Sequence, residues 1–143
     1  MNPTVRNILA VIAGLVAGGL ANTLLITVGP HVFPPPAGMD VNNVESIRAH
    51  AHELQPAHFV FPFLAHAMNA FVGGLVAYVV AASRRAVFAW AMGGLSLCGG
   101  IAAAVMIPAP AWFVALDLIV AYLPMAWLAI KLGEKLTAKP AAA

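Results

Sequence analysis

Residues 59–82 read FVFPFLAHAMNAFVGGLVAYVVAA and contain no Asp, Glu, Lys or Arg. About 20 apolar residues in a helix cross the ~30 Å hydrocarbon core of a bilayer, so this stretch predicts a membrane-spanning helix. Three further apolar runs, each with at most one such charged residue, cover residues 8–28, 86–107 and 111–130. The sequence therefore predicts an all-α fold, a single four-helix transmembrane domain over residues 1–143.

The composition of the 143-residue chain agrees with this class. Hydrophobic residues make up 62% of the chain and charged residues 8%, whereas a soluble domain carries about 25% charged residues. This composition excludes a soluble enzyme, a nucleic-acid-binding protein and a disordered tail. The single cysteine, Cys98, excludes an internal disulfide framework and any CxxC redox or zinc motif.

The basic residues predict the orientation of the bundle. All but one of them fall on the side of the amino terminus, and the exception is Arg48. Since Lys and Arg accumulate on the cytoplasmic side of membrane proteins, both termini are predicted to be cytoplasmic. The small size and short tails favour the inner membrane of a bacterium. The basic residues on the predicted inner side are Arg6, Arg84, Arg85, Lys131, Lys135 and Lys139.

The one sizeable loop covers residues 30–57, on the predicted outer side. Pro30 is predicted to end the first helix, because proline lacks a backbone N–H. Asn42 and Glu45 have the spacing of a capping box and predict a short amphipathic helix over about residues 43–54. Its apolar residues share one face, so it is expected to cover the outer mouth of the bundle. They are Val44, Ile47, Ala51 and Leu54.

Few polar side chains lie inside the predicted helices, and each is costly in lipid. At about 1.5 Å per residue, one polar residue from each helix falls in the same layer of the outer half. An isolated carboxylate there would be unfavourable, so Asp117 is predicted to contact His66 directly. Pro62 and Pro124 each free a backbone carbonyl near this pair. The predicted buried polar site comprises His66, Asp117, Asn22, Asn69 and Cys98.

A second group of histidines lies on the predicted outer side. His52 and Glu53 begin like the zinc motif HExxH, but Pro56 stands where its second histidine belongs. Imidazoles with a carboxylate still suit zinc or copper, so a metal site at His50, His52, His58 and Glu53 is one hypothesis. The alternatives are a pH sensor and solvated histidines at helix ends. No other cofactor is predicted.

Small residues mark the faces where membrane helices approach closely. The first helix has Gly14-x-x-x-Gly18, the second contains Gly73, and the third has Ser96-x-x-x-Gly100. These faces predict either packing within one bundle or a homo-oligomer in the bilayer. The sequence alone leaves both interpretations open.

Several runs resemble those of small bacterial four-helix membrane proteins with no assigned activity. They are HFVFPFLAHA at 58–67, GP at 29–30 with PPPAG at 34–38, and PAPAWF at 108–113 with LD at 116–117. The resemblance spans most of the chain, and it implies the four-helix topology without an activity.

Three functions are consistent with these patterns. The leading hypothesis is a small, oligomeric transport or permeation component that uses His66 and Asp117 for a proton, an ion or a ligand. The second is a non-catalytic accessory or assembly subunit whose polar layer is only structural. The third is a metal-binding membrane protein or a membrane enzyme. No catalytic triad order, phosphate loop or carboxylate pair favours catalysis.

Overall fold

The computed structural model describes residues 1–138, and its regular secondary structure over that range consists of helices without strands. Two short 3₁₀ helices, Ala51–Glu53 and Pro56–Phe59, precede the second long helix. The α-helices are α1 (Pro3–Val32), α2 (Val44–Ala49), α3 (Val60–Val80), α4 (Arg85–Met106), α5 (Ala111–Val120) and α6 (Leu123–Thr137).

Four helical segments are long and apolar enough to cross a membrane, as predicted. They are Pro3–Val32, Pro56–Val80, Arg85–Met106 and Ala111–Thr137. The long loop lies at one end of the bundle, here called the loop end. The first residues of the chain and the end of α6 lie at the opposite end of the bundle, here called the terminal end. Lys139, one of the predicted inner basic residues, is outside the described range.

Helix α3 is at the centre of the bundle, packed against α1, α4 and α6. Its contact with α1 is close because glycines face each other. A Cβ atom added to Gly18 would lie 2.6 Å from the backbone oxygen of Asn69, and one added to Gly14 would lie 2.7 Å from that of Gly73. The Gly14-x-x-x-Gly18 face is therefore used within the chain.

The prediction that Pro30 ends the first helix was wrong. Helix α1 continues to Val32, and the Phe33 N–H donates to the Gly29 carbonyl at 2.9 Å. Proline removes only its own N–H from the helix. The bonds made by neighbouring residues therefore carry α1 through Pro30.

The fourth membrane segment is not the continuous helix predicted over 111–130. Helix α5 ends at Val120 and α6 begins at Leu123, with Tyr122 at φ −120° and ψ −78°. Pro124 lies at the first turn of α6, where it cannot donate to the preceding turn. The chain therefore changes direction at Ala121 and Tyr122.

The loop helix α2 is shorter than predicted, and Asn43 rather than Asn42 caps it. The Asn43 side-chain oxygen accepts from the N–H groups of Glu45 and Ser46 at 2.9 and 3.2 Å. The Asn42 N–H instead donates to Asp40. Arg48 donates to the carbonyl of Met106 at 3.0 Å, so the loop is tied to the end of α4.

Candidate functional site at the loop end

A carboxylate inside the bundle is held by an imidazole and a phenol. Nδ1 of His66 on α3 lies 3.0 and 2.9 Å from the two carboxylate oxygens of Asp117 on α5. The Tyr122 hydroxyl donates to Oδ2 of the same carboxylate at 2.7 Å. Asp117 is 4% exposed and is the only charged residue buried within the described range. Both carboxylate oxygens therefore have a hydrogen-bond partner within the protein.

The contact links the hydrogen on the His66 ring to the charge on Asp117. An ionised carboxylate only accepts hydrogen bonds, so Nδ1 is the donor when Asp117 is ionised. The second ring nitrogen, Nε2, has no hydrogen-bond partner within residues 1–138, and it is not completely buried. His66 is also one of the residues that line the pocket described below.

Tyr122 was missing from the site predicted by sequence. It lies five residues after Asp117, and side chains at that spacing point away from each other on a regular helix. The break between α5 and α6 brings the two together, and the Tyr122 ring stacks on His66 with centroids 5.8 Å apart. Gly100 makes room for the phenol, since a Cβ there would overlap the Tyr122 side chain. Pro124, near the Asp117 turn, is the sequence signal that could have suggested this contact.

A cavity of about 510 Å³ extends from the loop to the His66–Asp117 pair. Its walls are mainly apolar and come from α1, α3, α4 and α5, with Ile47 and Leu54 of the loop also in the lining. The main apolar side chains of the wall are Ile26, Phe61, Pro62, Ala103, Phe113 and Val114. The cavity therefore has mainly apolar walls and a polar end at the His66–Asp117 pair, here called its floor. We call this cavity the loop-end pocket.

The bundle is closed on the terminal side of this pocket. Tyr122 is 1% exposed and packs with Ala67 and Ala121. Partly buried apolar side chains surround this cluster, namely Phe63, Leu97, Leu118 and Met125. In this conformation the pocket therefore ends at the polar cluster instead of continuing as a channel.

The structure does not bring all the predicted polar residues to this site. Asn22 is half-buried on α1 and does not line the pocket. Asn69 lines a separate crevice of about 140 Å³ with Ser96, and Cys98 is exposed on α4. Equal depth along four helices does not place side chains on facing sides. Of the five residues of the predicted polar site, the structure therefore brings together only His66 and Asp117.

The loop histidines do not gather into one cluster. His50 Nδ1 donates to the carbonyl of Ser46 at 2.8 Å, and His52 is an exposed residue 3.7 Å from Glu53. His58 accepts from the Gln55 N–H and donates to the Pro34 carbonyl at 3.0 Å. Over the described range, no three His, Cys, Asp or Glu side chains are arranged to hold a metal ion.

Comparison of the chain with known protein families, with curated proteins and with solved structures gives no match in any of the three. The function is therefore inferred from the chemistry of the loop-end pocket itself.

Proposed function

We propose that this protein is a small transport or permeation component that admits a largely apolar small molecule at the loop end. The molecule would be held against the His66–Asp117 pair. The single observation that carries the proposal is the cavity of about 510 Å³ that reaches this pair from the loop. Pockets for small molecules typically have about 300–1,000 Å³.

The pocket has the two kinds of surface that recognition of a small molecule needs. Apolar walls favour burial of an apolar body, and a few polar atoms fix its orientation. One group of polar atoms lies at the floor, where Tyr122 and Asp117 hold the His66 ring in place. The other polar residues of the lining, Thr27, His31, Asn42 and His58, belong to α1, the loop and the start of the second membrane segment. A rigid ring with one free nitrogen discriminates among ligands better than a mobile one.

Permeation needs a second conformation that opens toward the terminal end. The fourth membrane segment already has a break at Ala121 and Tyr122, beside the cluster that closes the pocket. A change of backbone angles at an element end is a common way to move a helix segment. We propose that movement of α5 against α6 would release Tyr122 and open the floor.

We further propose that the loop end faces outward from a bacterial inner membrane. The basic residues at the terminal end support this orientation, because Lys and Arg favour the cytoplasmic side. At the loop end the basic residue is Arg48, near the acidic residues Asp40, Glu45 and Glu53.

The test uses two neighbouring alanines of α4. Ala103 lines the pocket, whereas Ala102 is exposed on the outer surface of the bundle and does not line it. Ala103→Cys and Ala102→Cys are each made with Cys98→Ser, so that each protein has one thiol. A water-soluble, membrane-impermeant thiol reagent is added to either side of sealed vesicles.

We expect the reagent at the loop side to modify Ala103→Cys much faster than Ala102→Cys, because only Ala103 lines the cavity that reaches the loop. Slow modification of Ala103→Cys from the terminal side would report the second conformation. Equal rates for both thiols would contradict an accessible pocket. Modification from the loop side alone would contradict permeation and leave a binding site.

A second candidate is a non-catalytic subunit of a membrane complex, which outward-facing glycines favour. A Cβ added to Gly19, Gly94 or Gly99 would meet no atom within 4 Å. Small residues that face lipid leave room for a second helix, either of another copy or of another protein. Since Cys98 is exposed beside Gly99, oxidative cross-linking of the natural chain in its membrane tests this candidate. A cross-link to a different protein would support such a subunit, whereas a cross-linked dimer of this chain fits an oligomeric transport component equally well.

A further inference from the structure

We propose that the occupant of the loop-end pocket is a lipophilic alcohol or phenol, whose hydroxyl group binds Nε2 of His66. This inference rests on the proposed function in requiring that the pocket take up a small molecule. It goes further by naming the functional group that the floor recognises.

Nε2 of His66 can form a hydrogen bond in two ways, as an acceptor or as a donor. With Nδ1 donating to Asp117, Nε2 of a neutral imidazole is an acceptor, and Nε2 of a charged imidazolium is a donor. A hydroxyl group both donates and accepts, so it satisfies Nε2 in either protonation state. A carbonyl or ether oxygen suits only the donor form, and an ammonium group suits only the acceptor form.

The other polar groups around the floor do not compete for the ligand. The ionisable groups that face the His66 ring are Asp117 and Tyr122, and they bond to each other as well as enclosing the ring. An ammonium ligand would need the Asp117 carboxylate, which is 4% exposed. It would reach that carboxylate only by displacing Tyr122 or His66.

The rest of the pocket accounts for the lipophilic part of the ligand. Aromatic side chains of the wall include Phe59, Phe61 and Phe113. Near the mouth, both nitrogens of His58 already bond within the loop, to Gln55 and Pro34. An extended apolar body with one terminal hydroxyl fits this distribution, because its carbon portion lies along the walls while the hydroxyl reaches the floor.

The experiment compares probes that share one apolar body. 4-(1-Pyrenyl)butanol, its methyl ether, 1-butylpyrene and 4-(1-pyrenyl)butylamine are titrated by fluorescence into the full chain in phosphatidylcholine nanodiscs. Nanodiscs with Ala103→Trp, in which an indole fills the pocket, measure background uptake by the bilayer. Unchanged thermal unfolding of that variant verifies its fold. The main comparison needs no substitution at His66 or Asp117.

We expect the alcohol to bind at least about tenfold more tightly than the ether and the hydrocarbon, a ratio that corresponds to about 1.4 kcal/mol. In protein labelled with ¹⁵N-histidine, the alcohol should also shift the Nε2 resonance of His66. That resonance is identified by its loss in His66→Gln.

Two results would overturn the inference while leaving the proposed function intact. One is equal binding of all four probes with an unmoved Nε2 resonance, and the other is tightest binding of the amine. Absence of any binding above the Ala103→Trp background would overturn the inference too. In that case thiol modification of Ala103→Cys reports separately whether the pocket is accessible.

Discussion

Asp117 depends on two side chains that differ in what their removal leaves behind. His66→Ala removes a donor from a buried carboxylate, whereas Asp117→Asn keeps a polar group of similar shape beside the imidazole. We expect His66→Ala to lower the free energy of unfolding by about 1–3 kcal/mol, and Asp117→Asn to lower it less. Unfolding in mixed micelles, followed by circular dichroism, measures both. A greater loss for Asp117→Asn would contradict the interpretation of the pair.

The second partner of the carboxylate allows a matched comparison of two buried tyrosines. Tyr122→Phe removes a hydrogen bond of 2.7 Å to Asp117. Tyr78→Phe removes a hydroxyl that bonds to no residue of the described part of the chain, and thus serves as the control. Since hydrogen bonds between membrane helices are typically worth about 0.6–2 kcal/mol, we expect a loss of that size for Tyr122→Phe alone. Equal losses for the two variants would assign the effect to packing.

At the level of single residues, the sequence could predict the contact between His66 and Asp117 but not the complete polar site. The high cost of an isolated carboxylate in lipid was enough to predict that His66 meets Asp117. Depth alone could not predict that Cys98 and Asn22 point elsewhere, because the rotation of each helix depends on packing across the whole bundle. Tyr122 could not be predicted from helical spacing, since its contact requires a break in the helix.

The packing of α1 on α3 can be tested with two adjacent glycines. A Cβ at Gly18 would lie 2.6 Å from a backbone oxygen of α3, whereas one at Gly19 would meet nothing within 4 Å. We expect Gly18→Ala to destabilise the bundle by about 1–3 kcal/mol, the usual cost of overpacking. Gly19→Ala should be neutral or slightly stabilising. Chemical unfolding measures the free energy of unfolding of both variants. Equal values would contradict the close approach of the α1 and α3 backbones.

The elements also differ in how well sequence predicts their ends. The second and third long helices end close to their predicted limits, because hydropathy changes sharply there. Pro30 and Pro124 have opposite effects, since α1 passes through one and the fourth segment breaks near the other. A proline lacks a backbone N–H wherever it stands. Whether the helix continues depends on neighbours that are distant in sequence.

For the whole molecule, the distribution of charge predicts one orientation. Arg6, Arg84 and Arg85 are at the terminal end, together with the lysines of α6, whereas Arg48 is at the loop end. Reporter fusions at Ser83 are expected to be cytoplasmic and fusions near Asp40 external, because the basic end stays inside. A fusion at the far end of α6 provides the internal control. An external Ser83 would reverse the proposed direction of ligand entry.

The length of α1 bears on the concentration scale on which ligand binding should be expressed. Its 30 residues span about 45 Å, which matches the full thickness of a bilayer with its headgroups, about 40–45 Å. Gly29, Pro30 and His31, in its last turn, line the pocket. We therefore expect a ligand to enter at the headgroup layer, so that binding of a lipophilic molecule follows its mole fraction in the lipid phase. Half-saturation should stay constant in moles of ligand per mole of lipid, while the total ligand concentration needed rises in proportion to the lipid added.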